Sequence, residues 1–331
     1  MAVGNEGGYT VIYDVFNGDA DGICSLHQLR LAEPAAGTKL ITGVKRDIAL
    51  LGRIKDVSGC SITALDISMN SNADALARLL ENNNRVTYID HHYAGDIPDS
   101  PLLTAHIDAD PDRCTSLIVD ELLDGKYRPW AICGAFGDNL HAAAAEAAAT
   151  LSLPETEIQI LREIGELLNY NGYGSAVEDL HFAPDDLYRA VSAYPDPLDF
   201  HRDSSALKHL QEGFDTDMEQ ASSLAPFAGN GDNRMYRFPQ AAWARRVSGV
   251  FANLKARENP SGAHAMITEN EDGTLRISVR APLADKFGAD ALCRSFPGGG
   301  GRAAAAGINE LPADRLDDFI DQFNTTYGQS A

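Results

Sequence analysis

Residues 9–22, YTVIYDVFNGDADG, decide the architecture. The run from Tyr9 to Phe16 is apolar, β-branched and aromatic, which is the composition of a buried strand. It stops at the turn-forming NGDADG (17–22), and a helix is expected from about Ile23 to Ala32. The pattern then repeats. KLITGV (39–44), SITALDI (61–67) and RVTYIDHH (85–92) are apolar runs that each end in a polar cluster. Helical stretches such as NADALARLLENN (72–83) lie between them. Strands alternating with helices predict an α/β fold, a doubly wound parallel sheet covered by helices on both faces. Ligands of such sheets bind beyond the carboxyl ends of the strands. Asp19, Asp21, Asp66, Asp90 and His91 all fall at those ends.

Farther along, TSLIVDELL (115–123) reads as a helix capped by Thr115 or Ser116. PWAICGAFGDN (129–139) is an apolar segment taken as a further strand running into Asp138. Residues 140–228 are largely helical, with an alanine-rich 142–149 and the periodic EIQILREIGELLN (157–169). Beyond 230, strand-like MYRF, HAMITEN and TLRISVRAP mix with a helix over 240–256. PGGGGRAAAAG (297–307) and a final helix over 313–324 follow. A chain of 331 residues exceeds what one core usually serves. The expected division is a metal-binding domain over 9–190, a helical linker over 191–229 and a smaller α/β domain over 230–331.

Composition narrows the function. The chain is 44% hydrophobic and holds no run near the ~20 apolar residues of a membrane helix. Its first ten residues, MAVGNEGGYT, have neither a basic segment nor an apolar core, so no secretory signal is expected. Five scattered cysteines without a CxxC pair argue against a disulfide framework or a zinc knuckle, and a reduced cytoplasmic setting is expected. The net charge is −21. Residues 230–331 carry 12 basic and 12 acidic side chains and residues 1–229 carry 15 and 36, so the whole excess lies in the first part. So acidic a chain should repel a duplex, whose binding needs many Lys and Arg on phosphates. An acidic part that could bind metal and a neutral part that could hold a small phosphorylated substrate fit this division of charge better. Neither a membrane nor duplex nucleic acid is expected, and a homodimer is left open.

Two divalent ions ~3.5–4 Å apart can clamp a phosphoryl group and activate water at neutral pH. Such a site needs several carboxylates, one of them shared, completed by histidine. Hard oxygen plus imidazole suits Mn²⁺ or Mg²⁺ better than a thiolate-loving metal. Asp19 and Asp21, two positions apart in a loop taken as extended, could project to one side. Asp66, then Asp90 with His91 and His92, and finally Asp138 supply the rest.

At these residues the sequence resembles the DHH phosphoesterase superfamily over nearly its whole length. NGDADG is similar to its first motif, ALDIS to its second, IDHH to its name-giving third and GAFGDN to its fourth. PGGGGRAAAAG is similar to the glycine-rich signature of the DHHA1 domain. The resemblance implies that Asp19, Asp21, Asp66, His91 and Asp138 ligate two metal ions, Mn²⁺ first, with Asp66 bridging. It implies that Asp90 orients His91 or touches the metals, and that His92 faces the substrate phosphate. Two positions depart from the family. Asn17 stands where many members place a metal-ligating His, so its amide oxygen is a weak candidate ligand. Arg302 stands where the glycine signature usually has His, and arginine can hold a phosphate in two-pronged fashion.

Around that signature, Gly299, Gly300 and Gly301 would let backbone N–H groups approach an anion, and RAAAAG could begin a helix whose amino end adds a favourable dipole. Arg280, Lys45 and Arg46 are further candidates for phosphate contact. The expected reaction is metal-dependent hydrolysis of short nucleotide phosphoesters: nanoRNA, 3′-phosphoadenosine phosphate or a linear dinucleotide. The alternatives are an exopolyphosphatase or pyrophosphatase, a 5′ single-strand exonuclease, and a non-catalytic nucleotide-binding regulator.

Overall fold

A computed structural model describes residues 11–328. The reading of MAVGNEGGYT, including the first two residues of the expected opening strand, lies outside the described residues. The chain divides into two compact units, 1–211 and 212–331.

The first unit begins with β1 (Ile12–Phe16), α1 (Ala20–Ala32), β2 (Lys39–Ile41), β3 (Ser61–Leu65), α2 (Ala73–Glu81), β4 (Arg85–Asp90) and β5 (Leu103–Ile107). The five strands form one sheet in the order β2-β1-β3-β4-β5, every neighbouring pair parallel. Tyr13, Val15, Ile62, Ala64, Val86 and Tyr88 face a core shared with Leu76 and Leu79 of α2 and with Leu50 and Leu51 of the short turn between β2 and β3. The other face meets α1 and α3 (Thr115–Leu122). β1 lies between β2 and β3, so the chain leaves it in both lateral directions. That is the switch point at which doubly wound sheets open a crevice. β5 was not expected from the sequence.

α4 (Arg128–Gly137), α5 (His141–Ala149), α6 (Glu155–Gly172), α7 (Pro184–Ser192) and α8 (Pro197–Asp203) complete this unit, and α9 (Ser205–Ser222) crosses the division. The segment expected as a strand before Asp138 is therefore the helix α4, with Asp138 at its C-cap. Buried on almost every side from Trp130 to Gly137, it lacks the polar stripe that marks an amphipathic helix.

The first motif also differs from the expected extended loop. Asp19 is the N-cap of α1, its Oδ1 accepting from the Gly22 N–H at 3.1 Å, and Asp21 lies in the first helical turn. Gly18 lets the loop after β2 close over this turn, because a Cβ there would sit 2.0 Å from the Gly43 carbonyl oxygen.

The second unit holds β6 (Arg234–Phe238), α10 (Ala242–Glu258), β7 (His264–Glu269), β8 (Leu275–Arg280), α11 (Ala289–Arg294), β9 (Gly299–Arg302), β10 (Ala305–Leu311) and α12 (Leu316–Tyr327). Its sheet runs β6-β7-β8-β10-β9, with β6 and β7 parallel and the remaining pairs antiparallel. Phe319, Phe323, Leu292 and Phe296 pack with Ile267, Ile277 and Ile308 in its core. The helix expected from RAAAAG is absent: β9 and β10 form a hairpin in which Arg302 pairs with Ala305 and Gly299 with Ile308. Among the described residues, no helix is long and apolar enough to cross a membrane. All five cysteines are free and buried.

Candidate metal centre

The carboxyl ends of β1, β3 and β4 deliver the motif residues to one place, and ladder bonds beyond the strand ends fix the loops. The Asn17 N–H donates to the Leu65 carbonyl at 3.2 Å, and the Asp66 N–H donates to the Ile89 carbonyl at 3.1 Å. Asp66 holds a left-handed backbone, φ 56°, a strain that a non-glycine residue keeps only where its surroundings impose it.

His91 and His92 are each anchored by the outer ring nitrogen. His91 Nδ1 lies 2.9 Å from the Arg113 carbonyl oxygen, and His92 Nδ1 lies 2.7 Å from Asp90 Oδ1. This leaves His91 Nε2 3.5 Å from Asp66 Oδ1 and 3.8 Å from Asp138 Oδ2. One ligand atom from each of Asp66, His91 and His92 lies within 4.8 Å of the other two. A carbonyl or carboxylate on the far nitrogen is how ligating imidazoles are oriented.

Asp21 is committed elsewhere. Its two oxygens accept the backbone N–H groups of Thr115 and Ser116, both at 2.8 Å. The carboxylate thus caps α3, in place of the Thr115 or Ser116 side chain expected from the sequence. Asp90 is fully buried. Its Oδ2, like Asn17 Oδ1, has no hydrogen-bond partner among the described residues.

Lys45 enters this cluster from the loop after β2. Its ammonium donates to Asp19 Oδ2 at 2.5 Å, Asn169 Oδ1 at 2.9 Å and Asp138 Oδ1 at 3.2 Å. Although burial alone would lower its pKa, Asp19, the Tyr173 hydroxyl and Asp138 push it well above the usual lysine range. Asp19 shows the converse: burial raises its pKa, but the Lys45 charge overrides that and holds it below the ordinary carboxylate value. Among the described residues, no lysine or arginine pairs with Asp66. Burial, then the charges of Asp19, Asp21, Asp138 and Asp90, push it well above the carboxylate range. Burial also leads the upward shift of Asp138, which Lys45 offsets only in part. The Asp90 hydrogen bond raises the pKa of His92 against its burial.

This donor set fits a divalent cation. Hard carboxylate oxygens and two pre-oriented imidazoles converge, Asp66 carries a repulsion that a cation would relieve, and two buried oxygens lack donors.

Of the other candidates, Arg46 is exposed. In the second unit, Arg280 Nε donates to Asn253 Oδ1 at 2.7 Å, and Arg280 lines a cavity of about 280 Å³ with Arg257. Gly301 and Arg302 are exposed, and Gly299 and Gly300 are half-buried. Gly299 has a packing reason, since a Cβ would meet the Cys293 carbonyl at 1.8 Å, whereas Gly300 faces open space. Sequence reading missed Asn169, whose signal was an amide in the buried last turns of α6, and the Arg113 carbonyl, which as main chain leaves none.

The sequence matches no family model and no curated protein. Solved structures do resemble it. An exonuclease RecJ bound to manganese superposes with a TM-score of 0.59 at 16% identity, over 97% of this chain and 90% of that one. The DHH domain of a protein described as a member of a family of ribosomal proteins gives 0.58 at 14%, over 96% and 86%. A pGpG-specific phosphodiesterase from Vibrio cholerae gives 0.52 at 14%, over 96% and 100%. Strand order, motif placement and these superpositions agree that the chain has the fold of the DHH/DHHA1 phosphoesterase superfamily.

Proposed function

We propose that this protein is a metal-dependent phosphoesterase that hydrolyses short nucleotide phosphoesters, with nanoRNA, 3′-phosphoadenosine phosphate and linear dinucleotides as the leading substrates. One observation carries the reading: the carboxylates of Asp19, Asp66 and Asp138 and the imidazoles of His91 and His92 converge at the switch point of a parallel sheet. The resembling structures include an exonuclease bound to manganese and a dinucleotide phosphodiesterase, which supports a divalent ion, Mn²⁺ first, and a small nucleotide.

A divalent ion bound here would neutralise phosphate charge and make water a nucleophile near neutral pH. The protein's own groups do the rest. Asp66, His91 and Asp138 would hold the ion, with Asp19 and Asn17 beside them. The Arg113 carbonyl and Asp90 fix the two imidazoles. His92, whose proton Asp90 helps retain, is placed to donate to a phosphate or leaving-group oxygen. Arg280 and Arg302, with the backbone at Gly299, Gly300 and Gly301, are proposed as phosphate-binding groups of the second unit. The acidic first unit disfavours a long polyanion.

The test is hydrolysis of a dinucleotide, of 3′-phosphoadenosine phosphate and of polyphosphate by chelated protein before and after Mn²⁺ is restored. Turnover of the nucleotides that vanishes on chelation and returns with Mn²⁺ is expected, with Asp66→Ala the most damaging ligand change. A chelated protein that keeps its full rate contradicts the reading, and turnover of polyphosphate alone removes the nucleotide assignment.

A further inference from the structure

Lys45 is held as a component of the carboxylate cluster, not as a rim charge. Three protons are all that an ammonium can donate, and all three are used, on Asp19, Asn169 and Asp138. Its backbone is equally fixed: the Lys45 N–H donates to the Gly172 carbonyl at 2.9 Å, and Asn17 Nδ2 donates to the Lys45 carbonyl at 3.1 Å. The Tyr173 ring lies 5.9 Å from the ammonium and shields one side. The amide nitrogen of Asn17, the residue that departs from the family's first motif, therefore positions Lys45. An aspartate there could not make that bond, because a carboxylate has no proton for the Lys45 carbonyl.

We propose that the Lys45 ammonium takes the place of one divalent ion, so that the centre binds a single metal, at Asp66, His91 and Asp138. Asp19 is the carboxylate left for a second ion beside a shared Asp66, and Nζ already lies 2.5 Å from its Oδ2 and 3.2 Å from Asp138 Oδ1. A second ion on Asp19 would displace the ammonium from its shortest hydrogen bond and stand beside its positive charge. The first ion meets no such obstacle, since His91 Nε2 faces Asp66 and Asp138 Oδ2, while Lys45 is on the opposite oxygen, Oδ1. The centre then pairs one divalent ion with one fixed ammonium, and Lys45 supplies a charge that stays in place when the metal leaves.

This inference rests on the metal-dependent reading, and metal stoichiometry separates the two. Chelated full-length protein would be titrated with Mn²⁺ by calorimetry, and the loaded protein examined by electron paramagnetic resonance. The expected result is one ion per chain with the six-line spectrum of an isolated Mn²⁺. Lys45→Met should admit a second ion and give the broadened spectrum of a coupled pair, and Lys45→Met combined with Asn17→Asp should bind it more tightly. Lys45→Arg keeps the charge and should remain at one ion, which guards against a variant that merely fails to fold. Two ions in the unaltered protein would overturn the inference and leave the metal reading standing. No bound Mn²⁺ at all would remove both. One ion in every variant would mean that Lys45 is not what excludes the second.

Discussion

Asp21 and Thr115 lie 94 positions apart, and the Thr115 N–H donates to Asp21 Oδ2 at 2.8 Å. The Ser116 N–H takes the other oxygen at the same distance. A carboxylate over the first amides of a helix satisfies orphan donors and complements the positive end of the helix dipole. Arg113, two residues before Thr115, gives its carbonyl to His91. The first motif, the third motif and the start of α3 are thus one hydrogen-bonded assembly.

Asp21 and Asp66 should therefore behave oppositely in metal-free protein. Asp21→Ala strips two charge-assisted hydrogen bonds from buried amides and should destabilise by about 1–3 kcal/mol. Asp66→Asn removes a buried charge repelled by Asp19, Asp21, Asp138 and Asp90, and should stabilise the chelated protein by about 1 kcal/mol while weakening Mn²⁺ binding. Urea unfolding in chelator reads both. Equal losses for the two variants would contradict the distinction drawn here.

A different group sets the response to acid. His27 is 1% exposed, its Nε2 lies 2.8 Å from the Tyr194 carbonyl oxygen, and its ring stands edge-on to Trp130 at 4.8 Å. Burial lowers its pKa from 6.5 to about 4, against the raising effect of that hydrogen bond. Between these values the unfolded chain binds more protons than the folded one. Stability is therefore retained above about 6.5 and is lost as pH falls toward 4. From pH 7.5 to 5.5 the loss attributable to this residue is roughly 1–2 kcal/mol. His27→Gln, which can still donate to Tyr194, should lose that much less on acidification. Unchanged pH dependence in the variant would show that His27 does not set it.

Much of the fold was legible because β1, β3 and β4 are strands with an unambiguous vocabulary. IYDVF, SITAL and RVTYID are β-branched and aromatic, and each ends at a polar turn. α4 was not legible: RPWAICGAFG is short and buried on nearly all sides, and periodicity cannot tell a buried helix from a buried strand. Nor was the β9–β10 hairpin. Alanine favours a helix locally, but pairing of Ala305–Ile308 with both Gly299–Arg302 and β8 overrides that preference. Asp66, Asp90, His91 and His92 stand where β3 and β4 end, as read from the sequence, whereas Asp138 stands at the end of the helix α4. That Lys45 enters the carboxylate cluster, and that Asn17 secures it, depends on contacts 26 and 28 positions apart, which spacing does not encode.

Substrate length should expose the charge asymmetry. The first 229 residues hold 36 acidic and 15 basic side chains, so a long single strand meets more repulsion than a dinucleotide does. At low salt, kcat/KM should fall along a series from two to about twenty nucleotides, and the gradient should flatten as salt screens the field. A rate that climbs with length would favour a processive exonuclease.

Arg302 tests the second unit. It ends β9 on an exposed hairpin beside Gly300, whose Cα faces open space, so an anion can reach both the guanidinium and the backbone. A contact to a phosphate remote from the scissile bond exists in the ground state and in the transition state alike, so its loss should raise KM and spare kcat. Hydrogen bonds to a charged partner contribute ~1.5–3 kcal/mol, so Arg302→Ala should raise KM roughly tenfold to a hundredfold. Because the side chain is exposed, the melting temperature should stay within the small change of a surface substitution. Arg302→His should recover part of the affinity below neutral pH and lose it above, as the imidazole sheds its charge. Mn²⁺ content should be the same in all three proteins, since Arg302 lies outside the donor set at Asp66, His91 and Asp138. A KM untouched by Arg302→Ala across the nucleotide substrates would mean that the hairpin does not hold phosphate.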